Sequence, residues 1–566
     1  MQKRILRRAQ QPHTLTTLPP LLQRIYAARN IKTAADIDRS LAALLPYQSL
    51  QDIDKATARL VKAILHDEKI LIIGDFDADG ATATALAVSA LRRFGAKRVD
   101  FLVPNRFTFG YGLTPEIVKV AQVHSPAVIV TVDNGIASIE GVQCANQFGI
   151  DVVITDHHLQ GAVLPAACAI VNPNRHGDAF ESKALAGVGV IFYVMAALRA
   201  ALEAEKYFSE KPSMAEFLDL VALGTVADVV PLDKNNRILV HQGLQRIRAG
   251  QARPGIRALL QIAGRSPQKL NAMDLGFSVG PRLNAAGRLD DMSLGIQCLL
   301  ETDEEKALVL AKSLNTLNQE RRAIEDTMKT EAFEIVDRMN LVSTLPVGIC
   351  LYEPHWHQGI VGLVASRVKE KLHRPVIAFA KADETILKGS ARSVKQVHIR
   401  DVLDEIATQH PALLSKFGGH AMAAGLTISA KDFEAFSRIF SETVSKYLSA
   451  DQLQPIIETD GELSPEEFTL TNAELMQEAG PFGQQFPEPL FDGEFEVLSQ
   501  RLVGEKHLKM SLKPINGAYP VDAIAFQVDT QRWPNNRISR AKMAYRLASN
   551  EYQGRVGLQL VVEELL

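Results

Sequence analysis

The chain has 566 residues, which is too many for one hydrophobic core and predicts several domains. Hydrophobic residues make up 46% and charged residues 22%, as in ordinary globular proteins. The formal charge of -3 excludes attraction of an anionic ligand by net charge alone, so such a ligand must be held by local basic clusters or by bound cations.

The four cysteines argue against a disulfide framework and against a zinc site, because none belongs to a Cys-x-x-Cys pair. We expect Cys144, Cys168, Cys298 and Cys350 to be small core residues in a reducing compartment. No apolar run looks long enough to span a bilayer, and the basic N-terminus lacks an apolar signal core. The sequence therefore predicts a cytoplasmic protein.

Along the chain, residues 1–48 are mixed and helical in character, and residues 49–300 have an α/β pattern. Short apolar runs alternate there with helical stretches, as expected for strands covered on both faces of a parallel sheet. The predicted strands are Ile70–Ile73, Val99–Val103, Ala127–Val132, Val152–Thr155 and Ala169–Val171.

A long helix is predicted over residues 301–340, beginning at a capping-box pattern of Thr302 and Glu305. A second α/β unit is predicted over 341–452, with strands at Val347–Leu351 and Val376–Phe379. Residues 453–566 have short strand-like runs and many turns, which predicts a small β domain. The expected architecture is thus α/β, with two α/β lobes joined by a long helix and a β-barrel at the C-terminal end.

Acidic residues follow the first predicted strand of the α/β region, where Asp75, Asp77 and Asp79 fall within five positions. Carboxylates so close together repel one another unless a divalent cation neutralises them. A solvated turn that caps the next helix explains the same residues equally well, since Asp and Gly favour both roles. This cluster by itself leaves both interpretations open.

Two further strands end in the same kind of residue. Asp133 follows one strand, and Asp156, His157 and His158 follow another. In an open parallel sheet, ligands bind outside the carboxyl ends of the strands. Chance helix caps would be scattered over both edges, so together these clusters predict one shared metal site.

A fourth contribution comes from Asp228, which lies among apolar neighbours where a carboxylate needs a partner or a metal. Several Asp and His residues without Cys favour Mn²⁺ or Mg²⁺ over structural zinc, and this many acids makes two ions about 3.5–4 Å apart plausible. Between two such ions, water is activated for in-line attack on phosphorus. A local cap or ion pair is the alternative for Asp228.

The Asp-x-Asp of Asp77 and Asp79, the Asp133-Asn-Gly turn and the Asp156-His-His sequence resemble the DHH phosphoesterases. The resemblance implies that Asp133 bridges two ions and that Asp77 binds one of them. It assigns the other ion to a set that includes Asp79, His157 and Asp228. It also implies that His158 contacts substrate phosphate or transfers a proton. Asp75 and Asp156 are expected to lie behind the ligands and to orient them.

The Gly418-Gly419-His420 sequence resembles the DHHA1 substrate domain of the same superfamily, and we expect Gly-Gly there at a turn into a helix that binds an anion. Two arginine-containing segments, Asn105-Arg106 and Gly280–Arg288, resemble the RecJ exonucleases rather than the smaller relatives of the superfamily. This resemblance implies that the protein binds the 5′-phosphate of its substrate and the sugar-phosphate backbone next to it. The residues expected to contact substrate are Asn105, Arg106, Tyr111, Arg282, Asn284, Arg288, Ser390, Arg392, Gly418, Gly419 and His420.

The RecJ resemblance implies a single-stranded-DNA-specific 5′→3′ exonuclease of DNA repair and recombination, with an oligonucleotide-binding barrel at its C-terminal end. It implies that single-strand-binding protein and a RecQ-type helicase are partners. We also expect the protein to be a monomer. Two alternatives remain: a phosphodiesterase for short oligonucleotides or cyclic dinucleotides, and a DNA-binding scaffold with a decayed metal site. Neither alternative accounts for both the extra C-terminal region and the full set of expected ligands.

Overall fold

The computed structural model describes residues 3–105, 109–342, 345–414, 416–448, 450–552 and 554–566. The chain forms two compact units. One consists of residues 7–317 and 459–565, and the other consists of residues 318–458 with residues 1–6 and 566.

The N-terminal region is less helical than its sequence suggests. It contains strand β1 (Arg4–Arg7) and helix α1 (Pro20–Ala27), which begins at a proline and buries Leu21 and Ile25. Three short 3₁₀ turns follow, at Ala34–Ile37, Leu41–Ala43 and Tyr47–Ser49. These turns are separated by extended residues, so the polar and apolar positions never repeat for long enough to bury one face of an α-helix.

The first sheet is fully parallel, as the continuous apolar runs predicted, with the order β3-β2-β4-β5-β6. Every residue of β2 and β4 is buried. The strands are β2 (Ile70–Gly74), β3 (Val99–Leu102), β4 (Val128–Val132), β5 (Asp151–Thr155) and β6 (Ala169–Val171). The helices around them are α2 (Ile53–Leu65), α3 (Ala78–Arg93), α4 (Pro115–Gln122) and α5 (Ile139–Gln147). Parallel pairing brings the carboxyl ends of β2, β4 and β5 to one edge of the sheet.

A helical layer follows the sheet in the chain, and its first helix, α6, is apolar around most of its circumference. By length and composition alone α6 could cross a membrane, but 67% of it is buried, which is the position of a core helix. The helices are α6 (Gly187–Ala204), α7 (Leu218–Ala227), α8 (Lys234–Arg248), α9 (Pro254–Ile262), α10 (Ala272–Asp274), α11 (Gly280–Leu289) and α12 (Ser293–Leu300). A π-helical segment, Leu275–Val279, leads directly into α11.

The long helix α13 spans Glu304–Val342, and the boundary between the two units falls within it. The predicted capping box at Thr302 and Glu305 is wrong by one residue. Asp303 caps the helix, because its Oδ1 accepts a hydrogen bond from the Lys306 amide at 2.9 Å. The Thr302 amide instead donates to the side chain of Glu301 at 2.8 Å. An aspartate beside a threonine competes for the same capping role, and local pattern does not separate them.

The second unit contains a mixed sheet of order β10-β11-β9-β8-β7, in which only β7 and β8 pair in parallel among the described residues. Its strands are β7 (Ile349–Tyr352), β8 (Val376–Lys381), β9 (Ile386–Arg392), β10 (Lys416–Gly419) and β11 (Ala423–Ser429). Its helices are α14 (Val361–Leu372), α15 (Ile399–Gln409) and α16 (Phe433–Ser445). A second α/β unit is therefore present, as the sequence predicted.

After β12 (Ile456–Thr459), which pairs with β1, and α17 (Leu470–Glu478), the chain ends in a closed five-stranded barrel of order β13-β14-β15-β17-β16. In β14 the burial alternates residue by residue, as a barrel strand requires. The strands are β13 (Phe491–Val503), β14 (His507–Pro514), β15 (Val521–Ala525), β16 (Arg540–Tyr552) and β17 (Arg555–Leu565). The predicted C-terminal β-barrel is confirmed.

The cysteines are not all core residues. Cys298 and Cys350 are buried, but Cys144 is half-buried and Cys168 is exposed, so the prediction was wrong for Cys168. Cys168 directly precedes β6, which lies at the open edge of the first sheet. An edge strand lacks a neighbour on one side, and a flanking apolar residue is therefore not covered.

Candidate metal centre

The carboxyl ends of β2, β4 and β5 bring their following residues to one place. Gly74 at the end of β2 pairs with Val132 of β4, and Val132 pairs with Thr155 of β5. Asp75, Asp133 and Asp156 are the next residues of these three neighbouring strands. The sheet therefore aligns one carboxylate from each strand at its carboxyl edge, the place expected from the sequence.

Asp77 and Asp79 belong to the first turn of α3, and each has a different local role. Asp77 is the N-cap, and its Oδ1 accepts a hydrogen bond from the Gly80 amide at 3.0 Å. The capping alternative is therefore also realised at Asp77. Asp79 is buried and accepts backbone hydrogen bonds at both oxygens, from Gly187 at 2.6 Å and from Val188 at 2.9 Å. These amides belong to the start of α6, where the positive end of the helix dipole favours a carboxylate.

Three overlapping groups of side chains have potential ligand atoms within 4.8 Å of one another. Asp133 belongs to two groups, and so does His157. The groups are Asp75, Asp77 and Asp133; Asp79, His157 and Asp228; and Asp133, His157 and His158. His157 Nε2 lies 3.1 Å from Asp133 Oδ1 and 3.6 Å from Asp228 Oδ2. Because the groups share Asp133 and His157, they form one cluster, and it has enough potential ligands for two ions.

The carboxylates of this cluster repel one another, and a bound cation would stabilise them. Burial, reinforced by the neighbouring acids, raises the pKa of the Asp133 carboxyl well above its usual range. The same two causes raise the pKa of Asp79, to which Asp228 and Asp77 contribute the most charge. Burial also raises the pKa of Asp228, although nearby His157 partly opposes this effect. Ionised carboxylates this close are stable together only when a cation lies among them.

One buried oxygen tests directly whether a divalent cation fits. Asp133 Oδ1 makes no hydrogen bond among the described residues, although His157 Nε2 lies 3.1 Å from it and Asp133 is only 2% exposed. A buried carboxylate oxygen without a partner is costly, and coordination would satisfy it. The surrounding donors are carboxylate oxygens and imidazole nitrogens, a set that suits Mn²⁺ and Mg²⁺. The residues present therefore fit such a cation.

Asp156 organises the histidine pair. Its Oδ1 accepts hydrogen bonds from His158 Nδ1 at 2.7 Å and from the His157 amide at 2.7 Å, and its Oδ2 accepts from the Ile136 amide at 2.9 Å. Burial alone would raise the pKa of Asp156, but the charge and hydrogen bond of His158 outweigh it and lower that pKa to about 2. Burial likewise opposes ionisation of His158, but Asp156 raises the pKa of that imidazole to about 9.

Tyr111, expected from the sequence to contact substrate, lies beside this pair. Its hydroxyl is 3.2 Å from the ring nitrogens of His158 and donates to the backbone oxygen of Asp133 at 3.3 Å. Its ring packs edge-on against His158 with centroids 5.7 Å apart. Although the Tyr111 residue is 47% exposed, desolvation of its hydroxyl end, with the nearby acids Asp75, Asp156 and Asp133, raises the pKa of that hydroxyl well above its usual value. Asn105 accepts a hydrogen bond from the Phe109 amide, and Arg106 lies outside the described residues.

Sequence reasoning missed the residues that hold Asp133 in place. Asp133 has a φ of 63°, a conformation that Asp tolerates better than most residues. The next residue, Asn134, donates from Nδ2 to the backbone oxygens of Ile73 at 3.1 Å and Val132 at 2.9 Å, which links the ends of β2 and β4. The Asp-Asn-Gly turn was the available signal, because Asn commonly bonds to nearby backbone in such turns.

Helix α11 packs directly on the loop between β2 and α3, which carries Asp75 and Asp77. Asn284 Oδ1 accepts a hydrogen bond from the Ala78 amide at 2.8 Å, beside Asp77. Arg282, largely buried, donates to the Ser278 backbone oxygen and to Asn315 Oδ1, the latter at 3.0 Å. Arg288 is half-buried one turn beyond Asn284. Three residues expected to contact substrate thus share a helix that is attached to the cluster.

In the second unit, Ser390 and Arg392 lie on β9 and contact each other. Arg392 Nη1 donates to Ser390 Oγ at 3.0 Å, and burial lowers the pKa of the guanidinium. Gly362 in α14 makes room for both, because a β carbon there would lie 2.8 Å from Arg392 Nη2 and from Ser390 Oγ. A half-buried guanidinium beside a hydroxyl, facing a glycine, is a suitable receptor for a phosphate.

Gly418 and Gly419 do not lie at a turn into a helix, and this expectation was wrong. They end β10, which pairs with β11 in a hairpin, and the exposed His420 lies in the connecting turn. Gly419 has a φ of 146°, and a β carbon there would lie 2.5 Å from the Ala423 backbone oxygen. Gly419 permits this tight hairpin, which periodicity could not distinguish from a helix start.

Comparisons with known proteins follow the same divisions of the chain. Models described as "DHH family, N-terminal domain", "DHHA1 domain" and "RecJ OB domain" match residues 69–225, 341–446 and 459–564. The chain is 52% identical to the single-stranded-DNA-specific exonuclease RecJ of Escherichia coli K12, over 97% of this chain and 96% of that protein. It is 50% identical to the Haemophilus influenzae protein of the same name, over 100% and 99%.

The fold is also similar to a solved structure, that of RecJ from Thermus thermophilus in complex with Mn²⁺. The TM-score is 0.82 at 28% sequence identity, covering 100% of this chain and 79% of that one. The Mg²⁺ complex of the same protein gives a TM-score of 0.76 at 27% identity, covering 99% and 78%.

Proposed function

The chain belongs to the RecJ family of single-stranded-DNA-specific exonucleases, and we propose that it hydrolyses single-stranded DNA from the 5′ end by a two-metal mechanism. The observation that carries this proposal is the cluster of Asp133, His157 and their neighbours at the carboxyl edge of the parallel sheet. The products are 5′-mononucleotides, and the process served is DNA repair and recombination.

The domain assignment that accompanies this function follows the chain. Residues 49–300 would form the catalytic domain after an N-terminal segment, residues 1–48. Residues 301–340 would form a connecting helix and residues 341–452 the substrate-binding domain. Residues 453–566 would form the oligonucleotide-binding domain. The matched family models at 69–225, 341–446 and 459–564 support these divisions.

For the metal ions, Mn²⁺ or Mg²⁺, we propose two ligand sets that share Asp133. Asp77 and Asp133 would hold one ion. The other ion would be held by Asp133 together with Asp79, His157 and Asp228. Asp75 was expected behind the ligands, but its carboxylate lies within 4.8 Å of ligand atoms of Asp77 and Asp133, which supports direct binding. The Mn²⁺ and Mg²⁺ complexes of the Thermus relative support the choice of ion.

Bound ions supply the charge that stabilises the attacking and leaving oxygens of a phosphodiester. The side chains of the protein do the remaining work. Asp156 holds His158 charged and fixed beside the cluster, where it can donate a hydrogen bond to a phosphate oxygen or deliver a proton. Asn284 fixes the loop that carries Asp77. Arg392 and Ser390 would hold the terminal phosphate, because a guanidinium and a hydroxyl side by side donate the hydrogen bonds that a phosphate accepts.

The decisive experiment is digestion of 5′-labelled and 3′-labelled single strands with Mn²⁺ and with chelator. We expect mononucleotides from the 5′ end in Mn²⁺ and intact DNA in chelator. Asp77→Ala should abolish cleavage and leave strand binding largely intact, whereas Asp54→Ala, at an exposed acid of α2, should cleave normally. Mn²⁺-dependent cleavage by Asp77→Ala would contradict the ligand assignment, and faster cleavage of dinucleotides than of long strands would favour the short-oligonucleotide alternative.

The proposed partners are single-stranded DNA with a 5′ end, single-strand-binding protein and a RecQ-type helicase. The closed C-terminal barrel supports the first of these, because such barrels commonly bind oligonucleotides. We propose that the protein acts as a monomer in the cytoplasm. Co-sedimentation of the full chain with purified single-strand-binding protein would test one proposed partner. An unchanged sedimentation coefficient would contradict that interaction.

A further inference from the structure

The carboxyl end of β6 adds a fourth polar residue to the edge of the sheet that carries the proposed metal centre. Thr155 of β5 pairs with Val171 of β6, and the Asp156 amide donates to the Val171 backbone oxygen at 3.1 Å. Asn172 is the next residue of β6, so it lies beside Asp156, and it is fully buried. A buried asparagine side chain needs hydrogen bonds, and its partners therefore indicate its role.

The partners of this asparagine and of its neighbour Asn174 are the backbone oxygens of the two consecutive histidines. Asn172 Nδ2 donates to the His158 backbone oxygen at 2.9 Å. Asn174 Nδ2 donates to the His157 backbone oxygen at 2.6 Å. The Asn174 amide in turn donates to Asn172 Oδ1 at 2.7 Å, which holds the two asparagines in one arrangement. Each histidine of the pair thus has its own asparagine.

The segment that carries these asparagines, residues 172–178, is itself fixed to the rest of the domain. Lys183 Nζ donates to the Pro173 backbone oxygen at 2.7 Å. Arg175 Nη1 donates at 2.6 Å to Oδ2 of Asp52, the residue that precedes α2. A side chain can position its neighbour only when its own position is fixed, and this segment meets that condition.

The two imidazoles depend on this support to different degrees. The His158 ring is oriented directly, because its Nδ1 donates to Asp156 Oδ1 at 2.7 Å. The His157 ring lies 3.1 Å from Asp133 Oδ1 and makes no hydrogen bond among the described residues. Its backbone is held instead, at the amide by Asp156 at 2.7 Å and at the oxygen by Asn174. The position of the His157 ring therefore depends on its backbone, whereas most metal-binding imidazoles are oriented through their second ring nitrogen.

Building on the proposed exonuclease function, we propose that Asn174 and Asn172 are positioning residues that divide the support of the histidine pair. Asn174 fixes the backbone of His157, a proposed metal ligand, and so contributes to Mn²⁺ affinity. Asn172 fixes the backbone of His158, which belongs to neither proposed ligand set, and so contributes to the rate of cleavage once the ions are bound. The two contributions are separable because each asparagine contacts a different histidine.

Calorimetric titration of the full chain with Mn²⁺, without DNA, tests the role of Asn174. We expect Asn174→Ala to raise the Kd for Mn²⁺ about tenfold, as the loss of a residue that orients a metal ligand commonly does. Asn146→Ala is the matched control, because Asn146 Nδ2 makes the same kind of bond, to the Ala166 backbone oxygen at 2.9 Å, on α5. A wild-type Kd in Asn174→Ala, or an equal loss of affinity in Asn146→Ala, would overturn this role.

Single-turnover cleavage at saturating Mn²⁺ tests the role of Asn172. Asn172→Ala should cleave about tenfold more slowly than the wild type, whereas Asn174→Ala should recover most of its rate at saturating Mn²⁺. Because Asn172 is buried and also accepts from the Asn174 amide, Asn172→Asp is a second variant that keeps this acceptor and the side-chain shape but loses the donor. It should also cleave slowly, and wild-type rates in both Asn172 variants would overturn the division of roles.

Thermal unfolding without metal separates positioning from general stability. Asn174 is half-buried, so Asn174→Ala and Asn146→Ala should each lose one hydrogen bond and unfold within about 4 °C of the wild type. A lower unfolding temperature with an unchanged Kd for Mn²⁺ would reduce Asn174 to a structural role and overturn the proposal. Failure of the wild type to digest DNA in Mn²⁺ would instead contradict the exonuclease function, and the calorimetric comparison would still decide the role of Asn174.

Discussion

A β carbon on Gly187 would lie 2.5 Å from the β carbon of Asp133. Gly187 is the first residue of α6 and also donates its amide to Asp79 at 2.6 Å. One glycine therefore brings a helix start into contact with two acids of the cluster. This approach connects the helical layer to the carboxyl edge of the sheet, and any larger residue would displace the buried carboxylate of Asp133.

We expect Gly187→Ala to lower Mn²⁺ affinity and cleavage at least 100-fold, because a misplaced ligand cannot complete the site. Calorimetric titration with Mn²⁺ and a single-turnover cleavage assay would measure both effects. Gly161→Ala is the control, since the nearest atom to a β carbon there is 3.9 Å away. Normal Mn²⁺ affinity in Gly187→Ala would show that the contact has no role in the site.

Asp133→Asn should stabilise the metal-free protein while abolishing cleavage. Burial and the neighbouring acids raise the pKa of Asp133, so removing its charge relieves repulsion, and we expect a gain of roughly 1–2 kcal/mol in the free energy of unfolding without metal. The wild type should gain stability on adding Mn²⁺, and the variant should gain little. Thermal unfolding with and without Mn²⁺ would measure this, and a metal-free variant less stable than the wild type would contradict it.

Asp156→Asn should reduce cleavage about 10- to 100-fold without removing any proposed metal ligand. The amide cannot supply the charge that holds His158 ionised and oriented at 2.7 Å. Single-turnover rates at saturating Mn²⁺ would be compared with those of Asp151→Asn, which changes an exposed acid at the start of the same strand. Equal rates for Asp156→Asn and the wild type would exclude this role.

Arg392→Ala should remove any preference for a 5′-phosphate over a 5′-hydroxyl. The half-buried guanidinium beside Ser390 is the proposed receptor for the terminal phosphate, and Arg392→Lys should recover little because it lacks the planar fork. Competition between phosphorylated and dephosphorylated strands would measure the preference, with Arg400→Ala, at an exposed position of α15, as the control. A preference that survives in Arg392→Ala would place the receptor elsewhere.

His241 should make stability depend on pH. Burial, with the charges of Arg39 and Arg248, lowers its pKa to about 4, whereas an unfolded chain would have a value near 6.5. The unfolded state therefore binds a proton first as pH falls, so stability is lost between about pH 6.5 and 4 and is unaffected above that range. We expect a loss of roughly 1 kcal/mol, because the side chain is only partly buried and solvent screens the effect.

Denaturant unfolding of the wild type and of His241→Asn at several pH values would measure this contribution. The slope between pH 6.5 and 4 should be smaller in His241→Asn. His66→Asn, at an exposed position, should keep the wild-type slope. Identical slopes in all three proteins would assign the acid sensitivity to other groups.

Much of the metal cluster was predictable because its signals are local in the chain. A continuous apolar run predicts a buried parallel strand, and the next residue then lies at the carboxyl edge, as Asp75 and Asp133 do. Local competition explains two errors: Asp303 rather than Thr302 caps the long helix, and Gly418-Gly419 ends a strand of a hairpin. In each case, the same short run of residues is compatible with either local structure, so the sequence pattern does not decide between them.

The sequence by itself determined which strands carry acids and imidazoles and that they meet at one edge, because strand direction and burial follow from residues adjacent in the chain. Only the tertiary structure decided how those side chains are supported: Gly187 against Asp133, Asn284 at the Ala78 amide, and Asp156 paired with the ring of His158. The first two are close contacts between segments 54 and 206 positions apart. Such contacts depend on how helices pack on the sheet, which no local pattern of residues encodes.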